Sequence, residues 1–170
     1  MRTSLFVIAF FLFTLHVNAQ NDSLRNLDIN LENYQYPFPV KFLPLDLQGE
    51  KLKMAYMDVQ PEKANGKTVV LLHGKNFNGA YWEQTAKSLT QSGYRVIIPD
   101  QIGFGKSSKP AHFQYSFQQL ATNTKKILDT LSISSATILG HSMGGMVAMR
   151  FALMFPRTVE KLVLVNPLGL

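Results

Sequence analysis

The hexapeptide Gly140-His141-Ser142-Met143-Gly144-Gly145 fits the pattern G-x-S-x-G, and it stands between an apolar run and an apolar helical segment. A serine on such a strand-to-helix turn can act as a nucleophile. The chain doubles back so closely that the positions two before and two after must be nearly free of side chain. Gly140 and Gly144 meet that demand. The turn projects the Ser142 hydroxyl outward, near a helix N-terminus whose free N–H groups favour negative charge. The Met143 N–H is then placed to hold a developing oxyanion. A glycine-rich turn with an idle serine also fits the motif alone; the flanks on both sides favour the nucleophile.

Two further loops carry unusual residues. His73-Gly74-Lys75-Asn76-Phe77-Asn78-Gly79 reads as a strand-ending turn. An N–H just after Gly74, of Lys75 or Asn76, could be a second oxyanion donor. His73 precedes the nucleophile and adjoins this loop, so it reads as a loop-shaping residue rather than a base. In Asp100-Gln101-Ile102-Gly103-Phe104-Gly105-Lys106-Ser107, the end suggests a phosphate loop. That motif needs a glycine where Asp100 stands, and a helix where Pro110 soon follows. A turn shaped by Gly103 and Gly105 and ordered by Asp100 is the better reading.

These loops need elements to position them. Val40–Leu47 and Lys51–Val59 are β-like runs about Gln48-Gly49-Glu50, a hairpin with Gly49 in the turn. Val69–Leu72, Tyr94–Pro99 and Ala136–Leu139 are short apolar runs expected to be buried strands, and Leu162–Val165 is a fourth strand. Helices are expected over Tyr81–Ser92 and Phe117–Leu131. In the second, Phe117, Leu120, Ala121, Thr124, Ile127, Leu128 and Leu131 share helical spacing. Gly144–Phe155 is apolar on nearly every side, so deep packing is expected, with Pro156 as the stop. Alternating strand and helix imply a mostly parallel sheet covered on both faces. In such sheets functional loops lie beyond the strand carboxyl ends. All three loops singled out are there.

The ends and the composition narrow the class. Residues 1–19 carry a positive start, an apolar run from Leu5 to Leu15, and Val17-Asn18-Ala19 as a cleavage site, the pattern of a secretory signal peptide. The run is shorter than the roughly 20 residues of a spanning helix. Cleavage would leave no stable membrane anchor and an exported protein, periplasmic or extracellular. Residues 20–39 read as an irregular lead-in, and 40–170 as the folded part. No cysteine exists, which excludes disulfides, thiol nucleophiles and cysteine metal sites. The net charge of +6 is scattered, apart from Lys125-Lys126, so no nucleic-acid partner is expected.

HG after one strand, D-x-x-G-x-G-x-S after the next and G-H-S-M-G-G after the third resemble the α/β-hydrolase superfamily over roughly residues 40–170. The branch is that of small esterases, C–C bond hydrolases, epoxide hydrolases and haloalkane dehalogenases. The resemblance implies an α/β-hydrolase fold with an N-terminal antiparallel hairpin and helices on both faces of the sheet. It implies Ser142 as nucleophile and the Met143 and Lys75 N–H groups as oxyanion donors. It implies a small-molecule substrate with no cofactor and no metal. Serine at the elbow argues against epoxide hydrolysis and dehalogenation, which use an aspartate there, and favours acyl transfer to water.

The family's order is Ser, then Asp or Glu, then His. After Ser142 the chain has Glu160 as its one acid and no histidine. Glu160 is expected in a loop before the fourth strand, as a solvated charge. His141 should point away from Ser142, and His112 has no assigned role. The acid, the histidine, the last strands and any lid are therefore expected beyond Leu170, in a longer gene product, with a genuinely truncated protein as the competing reading. A strand so near the end would also leave an open sheet edge. Two other readings compete: a non-catalytic binding or scaffold protein on the same fold, and C–C hydrolysis or perhydrolysis.

Overall fold

The structure, a computed structural model, describes residues 27–169. The signal peptide expected over residues 1–19 lies outside the described residues. Residues 27–39 run as turns, in which the Asp28 carboxylate accepts the N–H groups of Asn30 and Glu32.

Two antiparallel strands follow, β1 (Val40–Leu47) and β2 (Glu50–Val59). Gln48 and Gly49 both have positive φ, 52° and 81°. That is the two-residue turn whose twist matches a hairpin. The remaining strands are β3 (Thr68–Leu72), β4 (Arg95–Pro99), β5 (Ala136–His141) and β6 (Val159–Val165). They form one sheet in the order β1-β2-β4-β3-β5-β6. β4, β3, β5 and β6 are parallel, while β2 meets β4 antiparallel.

The helices are α1 (Glu83–Gln91), α2 (Phe117–Thr130) and α3 (Met143–Met154). Alternating side chains along each strand feed two cores. On one face Val70, Leu72, Ile97 and Ile138 pack with Leu120, Ile127, Leu128, Val147 and Phe151 from α2 and α3. On the other face Met57, Val69, Leu71, Val96 and Ile98 pack with Trp82 and Ala86. Each such aliphatic side chain, fully buried, contributes roughly 1.5–3 kcal/mol. Central β3 is covered throughout because it feeds both cores. The β2–β4 seam is also tied by charge. Arg95 Nε and Nη2 donate to the two Asp58 oxygens at 2.9 and 3.0 Å, and Lys41 adds a third contact. Burial pushes the Asp58 carboxyl up, but these donors outweigh it and hold it below the ordinary range.

Several boundaries differ from the sequence reading. The helix expected over Tyr81–Ser92 is a 3₁₀ turn, Gly79–Trp82, followed by the shorter α1. The Asn78 side chain accepts the Ala80 N–H and starts the chain turning early. β5 extends to His141 and alternates between buried and half-buried residues, rather than being buried throughout. β6 begins at Val159, so Glu160 lies within a strand rather than a loop. It is solvated as expected, and paired with Lys67 at 3.2 Å. α3 is not packed on every side. Val147, Ala148 and Phe151 are buried, but Leu153 is 74% exposed. The covered side is the one toward β3, β5, β6 and α2. β6 is mostly exposed at the sheet edge.

Candidate active site

β3, β4 and β5 run parallel, so their carboxyl ends lie at one end of the sheet. His73-Gly74, Asp100 and Ser142 follow those three ends directly. The structure thus brings together the three loops singled out by sequence.

Ser142 is half-buried between β5 and α3, with φ 53° and ψ −119°. A non-glycine residue there carries strain of about 1–3 kcal/mol. Its neighbours hold it in place. The Ser142 N–H donates to the Val165 carbonyl at 3.1 Å, and the Gly145 N–H donates to the Ser142 carbonyl at 2.9 Å. The glycines explain how so tight a turn is possible. A Cβ on Gly140 would stand 2.2 Å from the Gly144 carbonyl oxygen, and one on Gly144 would stand 2.2 Å from that of Leu72. Met143 opens α3, so its N–H has no partner within the helix.

Opposite the elbow lies the turn Gly74–Phe77. The Phe77 N–H donates to the Gly74 carbonyl at 3.3 Å, and Asn76 has φ 64°. This is the pattern of a type II turn, whose third residue needs positive φ. Lys75 is its second residue, and the closing bond leaves the Lys75 N–H unused. The turn abuts the elbow: a Cβ on Gly74 would lie 3.3 Å from Ser142 Cβ.

His73 is fully buried beneath this turn. Its Nε2 lies 3.0 Å from the Gln101 main-chain nitrogen, and its Nδ1 lies 2.8 Å from the Gly74 carbonyl oxygen. A main-chain N–H can only donate, so Nε2 accepts and Nδ1 carries the proton. Burial lowers the His73 pKa below its ordinary value, against the opposing pull of the Gly74 carbonyl and Asp100. His73 is therefore neutral and shapes the loop, with no route to the Ser142 hydroxyl.

Asp100 orders the neighbouring loop. Its carboxylate accepts the Gly79 N–H at 2.6 Å, the Lys106 N–H at 2.7 Å and the Tyr36 hydroxyl at 2.6 Å. Gly105 wraps so closely that a Cβ would stand 2.1 Å from the carboxylate. Lys106 reaches away, to the Leu31 carbonyl at 2.6 Å. Ser107 accepts the Ala55 N–H and donates to the Asp100 carbonyl, tying the loop to β2.

Three contributions were missed in the sequence. Tyr36, from the stretch read as an irregular lead-in, closes the third bond to Asp100 across 64 residues. Burial, then the Asp100 charge, push its phenol well above the ordinary range. Tyr81 and Phe77 form an aromatic wall with His141. The Tyr81 hydroxyl lies 3.2 Å from His141 Nδ1 and accepts the Gly74 N–H at 3.3 Å. The His141 ring packs against Phe77, Tyr81 and Trp82. Burial pushes the Tyr81 phenol up to about 12. The third is a mostly apolar cavity of about 560 Å³ beside the elbow, lined by Gly103, Phe104, Tyr115, Phe117, Leu120 and Met143. Only Tyr81 carried a signal, since aromatic residues close after a glycine-rich loop suggest a wall. His112 is exposed. Among the described residues no cluster of His, Asp or Glu is placed to hold a metal ion.

A mostly parallel sheet with a strained serine at the carboxyl end of a central strand is the geometry the chain presents. Comparison identifies the family. A family model described as the alpha/beta hydrolase fold matches residues 67–170, and the chain belongs to this family. The structure of a probable hydrolytic enzyme from Pseudomonas aeruginosa PAO1 is 58% identical, with a TM-score of 0.81. That match covers 82% of this chain and 45% of the other. An esterase from Exiguobacterium antarcticum is 31% identical with a TM-score of 0.66, covering 75% of this chain and 45% of the other. A haloalkane dehalogenase from Mycolicibacterium paratuberculosis is 33% identical over 84% of this chain and 48% of its own length. The chain spans less than half the length of the curated relatives it matches. The fold follows from these likenesses.

Proposed function

We propose that the full-length protein is an exported serine hydrolase that cleaves a small ester or related carbonyl substrate through an acyl-enzyme on Ser142. The observation that carries this reading is the strained Ser142 at the end of β5, beside the first N–H of α3 and opposite the turn at Lys75. In the first step Ser142 Oγ bonds to the carbonyl carbon as a histidine base takes its proton. The carbonyl oxygen becomes an oxyanion held by the Met143 and Lys75 N–H groups. Collapse breaks the bond to the leaving alkoxide, which receives the proton. Water then attacks the acyl-enzyme by the same route and releases the acid. The cavity beside Met143 receives the apolar part of the substrate. The base and its acid partner come from sequence after Leu170. None of the described histidines is available: His73 and His141 are engaged elsewhere, and His112 is exposed. No cofactor or metal enters the scheme.

A serine-directed fluorophosphonate probe tests the reading on full-length protein. Labelling that disappears in Ser142→Ala is expected. No label, or label that persists in that variant, overturns it.

A further inference from the structure

His73 plays no part in the steps above, yet it is a fully buried histidine with both ring nitrogens engaged. One of its partners is the Gly74 carbonyl. That carbonyl belongs to the same planar trans peptide as the Lys75 N–H, and across such a plane C=O and N–H point in opposite directions. Whatever turns the Gly74 oxygen inward therefore turns the Lys75 hydrogen outward. We propose that His73 is a positioning residue for catalysis: its Nδ1–H holds the Gly74 carbonyl inward, and so aims the Lys75 N–H at the oxyanion. The assignment rests on the proposed roles of Ser142 and Lys75.

The surroundings fix the plane from several sides. Nε2 is anchored by the Gln101 N–H at the start of the Asp100 loop, so the ring cannot rotate without losing that bond. Phe104 packs edge-on against the ring, with centroids 5.4 Å apart. The Gly74 N–H is held by the Tyr81 hydroxyl, and the far end of the loop by Asp100 through the Gly79 N–H. Gly74 is then free neither to flip nor to slide. Two bonds act directly on the peptide that carries the donor, the Nδ1–H bond at 2.8 Å and the turn-closing Phe77 N–H bond at 3.3 Å, and the shorter comes from the buried ring. A preorganised donor stabilises transition-state charge because no reorganisation accompanies the reaction.

Two variants of the full-length enzyme separate this role from simple core filling. His73→Asn presents an amide N–H where Nδ1–H stood, whereas His73→Gln presents an acceptor where Nε2 stood. With p-nitrophenyl butyrate as the probe, His73→Gln is expected to lower kcat by about 10²-fold with little change in KM, the low end of losing one oxyanion donor. His73→Asn is expected to restore most of it, and affinity for a trifluoromethyl ketone should follow kcat. In a Lys75→Pro background, where no N–H remains to aim, His73→Gln should cost nothing further. Equal losses in the two variants, or additive losses in that background, overturn the assignment. The ¹⁵N shifts of His73 in the wild-type protein need no variant to fold. A proton on Nδ1 is expected, and a proton on Nε2 overturns the assignment. Failure of the fluorophosphonate to label Ser142 removes the proposed function, and this assignment with it. Labelled Ser142 with Asn and Gln variants alike removes this assignment alone.

Discussion

Lys75→Pro deletes the N–H proposed as an oxyanion donor and almost nothing else. Lys75 is exposed and occupies the second position of the Gly74–Phe77 turn, where proline is favoured because its ring supplies the needed φ. The closing bond runs from the Phe77 N–H to the Gly74 carbonyl, and neither atom is altered. The turn should hold, with stability changed by less than about 1 kcal/mol. What disappears is the N–H of the proposed donor. Loss of one such donor costs roughly 2.7–4 kcal/mol in the transition state, or about 10²–10³ in kcat. KM should change little, because the charge that the donor serves develops only after binding. The assay is steady-state hydrolysis of p-nitrophenyl butyrate by full-length enzyme, with thermal unfolding measured alongside. Lys75→Ala keeps the N–H and separates the donor from the ammonium; only proline should reduce kcat on the predicted scale. An unchanged kcat with the fold intact, or a loss confined to KM, would refute the assignment of this donor.

Other consequences concern the scaffold. Gly144→Ala drives a Cβ to 2.2 Å from the Leu72 carbonyl, backbone against backbone, and should destabilise the fold by about 3 kcal/mol, read from chemical denaturation. Tyr36→Phe removes a bond to the buried Asp100 carboxylate and should cost about 1.5–3 kcal/mol, measured the same way. His73 is neutral when folded and has a depressed pKa, so below its ordinary value of 6.5 the unfolded chain binds a proton that the folded chain does not. Its contribution is therefore complete above that value and falls as pH drops toward the folded pKa. Urea midpoints between pH 7 and 5 should decline, and less steeply in His73→Asn.

The parallel strands and the elbow were legible because their signals are local. Val69–Leu72 is a continuous apolar run, and Gly140 and Gly144 report a close approach that no other residue allows. The role of Asp100 in ordering its loop was legible for the same reason. The Tyr36–Asp100 bond was not, since nothing in a polar, irregular segment shows where a tyrosine will reach across 64 residues. The exposed side of α3 was hidden for the opposite reason. A helix apolar all round has no preferred face in its sequence, so neighbours alone decide which residues are covered. Leu153 is 74% exposed although its composition predicts burial. The Tyr81–Ser92 helix began late because an Asn78 side-chain bond competes with the main-chain pattern. The acid and base were not legible in this chain, and their supply by sequence beyond Leu170 belongs to the proposal.

The proposed acyl-enzyme requires a covalent bond to Ser142. The measurement that tests it most directly is mass spectrometry of full-length enzyme, quenched in acid while turning over p-nitrophenyl butyrate. A butyryl adduct is expected on the peptide containing Ser142 and is expected to be absent from Ser142→Ala. Turnover with no adduct on that peptide under any quench time, or an adduct on another residue, would contradict it.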